Sequence, residues 1–195
     1  MTVTIRAAAP DDAPALGEVM VAAWLSTHHG QMPDEAWRKR VAEWTPEVSA
    51  RGWAQVLSEQ SGRDVPIDVL LVAEDDEGRP VGLVYAREGD DASASTAEIT
   101  ALYVASGRRG EGCGSALLRT AATELIRLGC TRARLQVLSA NLLARGFYEH
   151  LGGREVGQGW FDEDGQLLPV TYYEWACEQL AVRTTSPEDQ PGRSA

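Results

Sequence analysis

Between Val104 and Leu118 an apolar run turns through Gly107, Gly110, Gly112 and Gly114 into a helical pattern. Such a turn gathers backbone N–H groups at a helix N-terminus, where the macrodipole and unpaired donors favour a phosphate. The absent side chains let a ligand approach the backbone closely. A P-loop is excluded, because Gly112 is followed by Cys113 and Gly114 where that loop needs Lys and then Ser or Thr. The dinucleotide pattern G-x-G-x-x-G fails too, with Ser115 or Leu117 in the place of its last glycine. What remains is Arg109-x-x-Gly112-x-Gly114.

Other residues near this turn have chemistry of their own. Asn141 and Tyr148 stand seven apart in a helical segment, so two turns return them to nearly the same face and into one cleft. Glu98 lies eleven positions before Arg109. Cys113 sits beside arginines at a helix start, a setting that lowers a thiol pKa, but it reads here as a small buried residue. His28 and His29 have no third ligand nearby in sequence, so no metal is expected.

The elements that must position these groups follow from pattern and punctuation. Thr2 to Ala7 reads as a strand, and Asp11 as the N-cap of a helix reaching Ser26, with Leu16, Met20, Ala23 and Trp24 on one stripe. Asp34 to Glu43 forms a shorter helix, and Thr45-Pro46-Glu47 opens another to Glu59. Val69–Glu74 and Val81–Ala86 make a hairpin about Asp76-Glu77-Gly78. Glu88 to Ser95 is a loop, Thr96 to Val104 a strand, and the glycine turn leads into a helix that ends near Leu128 before Gly129. Arg132–Leu138 is a strand and Asn141–Leu151 a helix. Strands near Arg154–Phe161 and Leu167–Trp175 close the pattern around Asp162 to Gly165. Residues 1–178 read as one α/β domain, a mixed sheet of about seven strands covered by helices, and 179–195 as a disordered polar tail.

Composition narrows the function classes. The 195 residues are 44% hydrophobic and 24% charged, ordinary for a globular protein, and no apolar run is long enough to span a membrane. The net charge of −11 argues against general nucleic-acid binding. Yet Val104–Arg154 holds eight arginines against three acids, a local +5 that leaves −16 for the rest. An anionic ligand is expected at that basic island and a cationic one elsewhere. No signal peptide is evident, and three cysteines with no pairing or metal spacing fit a reducing cytoplasm.

The turn Arg109-x-x-Gly112-x-Gly114 resembles the pyrophosphate loop of the GNAT superfamily of N-acetyltransferases. The flanks extend the resemblance. Glu98 to Val104 is similar to that family's central strand, and Asn141-x-x-Ala144-x-x-Phe147-Tyr148-x-x-x-Gly152 to its second conserved block. Ile5-Arg6-x-Ala8 with Asp11-Asp12 looks like its opening, so the resemblance covers about Val3 to Trp175.

The resemblance implies a mostly antiparallel sheet with a splayed centre that holds acetyl-CoA. Backbone groups of Leu102, Tyr103 and Val104 would bind the pantetheine arm like an added strand. Backbone N–H groups from Arg109 through Gly110, Gly112 and Gly114, with Ser115, would hold the pyrophosphate. Arg108 or Arg109 would face the adenosine phosphate, and Asn141 would contact the cofactor. Tyr148 corresponds to the acid that protonates the leaving thiolate, and Glu98 to the general base for an incoming ammonium. Trp24, His28, His29, Trp160 and Phe161 are the expected walls of the acceptor site. The implied activity is acetyl transfer to a primary amine of a small molecule or peptide by direct attack. The alternatives are a non-catalytic acyl-CoA-binding module and an enzyme using a longer acyl donor. Exposed closing strands make a homodimer reasonable. Ser106, Cys113 and Gly153 depart from the usual proline, aliphatic residue and phenylalanine, and the last is expected to loosen packing beneath the second block.

Overall fold

The computed structural model describes residues 3–60, 68–89, 95–163 and 165–182. Its strands are β1 (Thr4–Ala7), β2 (Asp68–Glu74), β3 (Pro80–Glu88), β4 (Thr96–Val104), β5 (Arg132–Leu138), β6 (Arg154–Glu163) and β7 (Gln166–Ala176). The helices are α1 (Ala13–His28), α2 (Asp34–Glu43), α3 (Pro46–Gln60), α4 (Cys113–Arg127), α5 (Leu142–His150) and α6 (Cys177–Ala181). The strands form one sheet in the order β1-β2-β3-β4-β5-β7-β6, antiparallel throughout except for β4 beside β5.

Helices α4, α5 and α6 cover one face over a core that includes Leu117, Leu118, Leu125, Tyr173 and Trp175. Helices α1 and α3 cover the other, over Leu16, Trp53, Leu70, Val72 and Leu83. A small third cluster joins Trp24 and Met32 to Ala36 and Leu168. Among the described residues no helix is long and apolar enough to cross a membrane.

Two features of the sheet build a cleft. β4 and β5 are paired only at Thr96↔Arg132, Ala97↔Ala133 and Glu98↔Arg134, so beyond Glu98 the edge of β4 has no strand beside it. The second feature is a bulge. Tyr85 faces Ala101 while Ala86 faces Ile99, which leaves Thr100 as an extra residue. Ile99 therefore packs on the α4 face, while Ala101, two residues on, packs on the α1 face. In an unbroken strand both would share a face.

The expected elements form in the expected order, with shifts at their ends. α1 starts at Ala13, after a 3-10 turn over Pro10–Asp12, and Asp12 rather than Asp11 holds that corner. The Asp12 carboxylate accepts from the Ala9 N–H at 2.7 Å and from Arg6 at 2.6 and 2.8 Å; Arg6 also reaches Glu74. Hydrogen bonding from Arg6 holds the Asp12 carboxyl below the usual carboxylate range. α6 crosses the position where the tail is expected to begin, because Cys177 and Leu180 are buried under α4. Thr2, most of the Glu88–Ser95 loop and positions 183–195 of the expected tail lie outside the described residues.

Candidate active site

A cavity of about 850 Å³ opens where β4 and β5 part. That volume lies toward the upper end of the range of about 300–1,000 Å³ for small-molecule sites. Leu102, Tyr103 and Val104 line it from the unpaired part of β4, and Arg108, Arg109, Gly110 and Gly114 from the glycine turn. Asn141 and Tyr148 line it from the α5 segment.

The turn is built as its glycines require. Gly110 and Gly112 have φ of 79° and 84°, and Gly112 is the N-cap of α4. A Cβ on Gly114 would stand 3.2 Å from the Phe147 ring, so that glycine lets α4 and α5 approach each other. Ser115 lies in the first turn of α4. Arg109 turns toward α1. Its Nη2 donates to the Ala23 carbonyl at 3.0 Å and the Ser26 hydroxyl at 2.8 Å, and its Nε to the Val104 carbonyl at 3.2 Å. Arg108 lies beside Glu111 at 3.5 Å. Cys113 is buried, and that burial pushes its thiol pKa up, the opposite of an activated thiolate.

Asn141 caps α5 by accepting from the Ala144 N–H at 3.1 Å, which fixes the first turn and the phase of Tyr148 seven residues on. The Tyr148 ring is 8% exposed and packs on Phe147, Tyr173 and Trp175. Burial raises its pKa well above the ordinary phenol value, and the nearby Tyr103 adds to the effect. Tyr103 itself is pushed up to about 12 by burial, with the Arg40 charge pulling the other way. Glu98 lines the cavity with its carboxylate 3.7 Å from Arg87. The two groups thus reach one slot from opposite sides of the sheet, Tyr148 from the α5 face and Glu98 from the α1 face.

The expected acceptor walls divide. Trp24, His28 and Phe161 line the cavity; His29 and Trp160 are not among its lining residues. His29 packs edge-on against Trp37 at the surface. Trp160 pairs with Pro169 and Phe161 with Leu168, and neighbouring strand residues point to opposite faces, so only Phe161 reaches the cleft. Arg40, Trp44 and Glu163 line the same end and are absent from the sequence reading. His28 Nδ1 donates to the Trp24 carbonyl at 3.0 Å, and the ring stacks on Trp24 at 4.8 Å. Burial chiefly, and Arg109 in addition, lower the His28 pKa below its ordinary value. The unfolded chain therefore binds the proton more readily, and stability present above pH about 6.5 is lost as pH falls. The melting temperature of the wild type is expected to drop more between pH 7 and pH 5 than that of His28→Gln. Parallel profiles would remove His28 from the acid response.

Among the described residues no group of three or more His, Cys, Asp or Glu is placed to hold a metal ion. The profile of the Acetyltransferase (GNAT) family matches residues 31–153, more than half of the chain. The chain belongs to the GNAT acetyltransferase family. Solved structures share the GNAT fold over nearly the whole length. PaiA N-acetyltransferase from Thermoplasma acidophilum, in complex with coenzyme A, is 22% identical with a TM-score of 0.68, covering 90% of this chain and 99% of that one. A GNAT superfamily phosphinothricin acetyltransferase from Sinorhizobium meliloti, in complex with acetyl-CoA, is 21% identical with a TM-score of 0.68, covering 90% and 89%. YncA from Salmonella typhimurium, with its cofactor acetyl-CoA, is 20% identical with a TM-score of 0.66, covering 97% and 100%. No curated protein matches the GNAT chain by sequence.

Proposed function

We propose that the protein transfers acetyl from acetyl-CoA to a primary amine of a small molecule or peptide by direct attack. The observation that carries this reading is the slot between β4 and β5, which a phenol and a carboxylate line from opposite faces. The residues present fit the cosubstrate. The unpaired β4 edge at Leu102, Tyr103 and Val104 suits an amide-bearing pantetheine arm. Backbone N–H groups of Arg109 to Gly114 and the Ser115 hydroxyl would hold the pyrophosphate at the α4 N-terminus. With Arg109 committed to α1, Arg108 is the better partner for the adenosine phosphate. Three buried, unpaired cysteines support a reducing, cytoplasmic setting.

Bound acetyl-CoA supplies an acyl carbon activated as a thioester. Glu98 takes a proton from the acceptor ammonium, directly or through one water, and frees the nitrogen lone pair that bonds to that carbon. Tyr148 gives its proton to the sulfur as the carbon–sulfur bond breaks. The second proton shed by the acylated nitrogen passes through water to restore the phenol, while Glu98 returns its proton to solvent. No covalent enzyme intermediate is needed.

The test is CoA release from acetyl-CoA across polyamines, aminoglycosides, amino acids and short peptides, with protein thiols subtracted. Acceptor-dependent release is expected, and Glu98→Gln should lower kcat/KM about 10- to 100-fold at neutral pH. That deficit should narrow as pH rises toward the acceptor's own pKa, since more amine is then free without a base. Acetyl-CoA binding without transfer to any amine would overturn the enzyme reading in favour of a binding module.

A further inference from the structure

The cavity holds a charged pair that the mechanism does not use. Arg40 of α2 donates through Nε to Oε1 of Glu163 at the end of β6, and its Nη2 makes an ion pair with the same oxygen. Glu163 is 6% exposed, and both residues line the cavity. The guanidinium also stands 5.8 Å from the Trp24 ring and 5.5 Å from Trp44. Stability alone does not explain such a pair, because a well-packed apolar pair in its place is often neutral or better. The remaining arginines along the cavity are engaged elsewhere, Arg87 beside Glu98, Arg108 beside Glu111 and Arg109 on α1.

Nη1 of Arg40 makes no hydrogen bond to any described residue and keeps two N–H donors. A guanidinium is planar and suits a carboxylate. Two tryptophans and Glu163 have already fixed its position, so binding an anion there costs little further ordering. We infer that Arg40 anchors a carboxylate of the acceptor, which makes the substrate an amino acid or a similar primary amine bearing a carboxylate. This rests on the acetyltransferase reading and narrows it. The amine would lie at the slot by Glu98 and Tyr148, the carboxylate at Arg40, and an apolar body against Trp24, Phe161 and Leu168 between them. Such an acceptor carries a positive amine for Glu98 and a negative far end for Arg40, each group sharing its charge with one further partner, Arg87 and Glu163.

The experiment compares acceptors of one skeleton: phenylalanine, its methyl ester and phenethylamine, with methionine and its ester as a second set. Wild type, Arg40→Lys and Arg40→Met are assayed for CoA release. The free acid should exceed its ester about 100-fold in kcat/KM in the wild type. Arg40→Met should collapse that ratio to within about threefold, mainly through KM, and Arg40→Lys should keep part of it. Equal rates for acid and ester in the wild type would overturn the assignment. So would an Arg40→Met variant that slows acid and phenethylamine by the same factor, the behaviour of a purely structural tie between α2 and β6. Equilibrium dialysis of radiolabelled phenylalanine and phenethylamine separates this inference from the reading beneath it. Acid-selective binding lost in Arg40→Met, without transfer to any amine, would sink the enzyme and keep the anchor. Binding that ignores the carboxylate would sink the anchor whatever the catalytic result.

Discussion

Tyr148→Phe is expected to lower kcat about 100-fold while the KM for acetyl-CoA stays within about twofold. The phenol is expected to meet the sulfur only as it leaves, so its loss acts on the transition state more than on binding. The substitution is clean because the ring contacts with Phe147, Tyr173 and Trp175 persist. No described residue hydrogen-bonds to the Tyr148 hydroxyl, so its removal strands no partner, and the melting temperature should hardly move. The raised pKa of Tyr148 adds a pH signature. A phenol whose pKa lies above its ordinary value of about 10 stays protonated, and so remains a competent acid, through the alkaline range. Wild-type kcat should therefore show no decline from Tyr148 up to pH 10. An unchanged kcat in Tyr148→Phe would remove the residue from the reaction. A wild-type alkaline decline that the variant lacks would contradict the burial argument.

The parts of this protein that were legible in its sequence are those written in local pattern. Alternating apolar residues bounded by Gly129 and Asn141 predict the strand Arg132–Leu138, and it forms with those bounds. Asp34–Glu43 does so as well. The glycine turn was legible because only glycine suits φ near +80° at Gly110 and Gly112. What stayed hidden depends on contacts between distant residues. The bulge at Thr100 adds one residue without changing composition, yet it decides which face Ala101 and Tyr103 take. Asp11 and Asp12 are equivalent as caps until Arg6 and the Ala9 N–H select the second. Arg40 and Glu163 lie 123 positions apart, and each reads alone as a solvated charge. Trp160 and Phe161 could not both face the acceptor, and only the pairing with β7 shows which one does.

Gly153→Ala is expected to destabilise the fold by about 1–3 kcal/mol, although alanine adds a single methyl group. The resemblance sets Gly153 against a usual phenylalanine and leads one to expect loosened packing there. The structure shows the reverse. A Cβ at this position would lie 2.5 Å from Trp175 Cζ2 and 2.8 Å from the Tyr148 carbonyl oxygen, so the space is already filled. Trp175 comes from β7, is 2% exposed, and packs its edge on the Tyr148 ring at 5.8 Å. The indole thus fills, from another strand, the space beside residue 153. The Gly153 N–H also donates to the Tyr148 carbonyl at 2.9 Å, so pushing residue 153 outward strains the turn that ends α5. Gly153→Phe should be worse than alanine, and by shifting Tyr148 it should lower kcat about 10-fold in whatever protein still folds. Trp175→Val alone opens a cavity and should cost about 3 kcal/mol. The double variant Gly153→Phe with Trp175→Val should be more stable than either cost added to the other would allow, by at least about 1 kcal/mol. Denaturant melts of the four proteins give that coupling directly. Strict additivity, or a neutral Gly153→Ala, would mean that the glycine and the indole do not share one space.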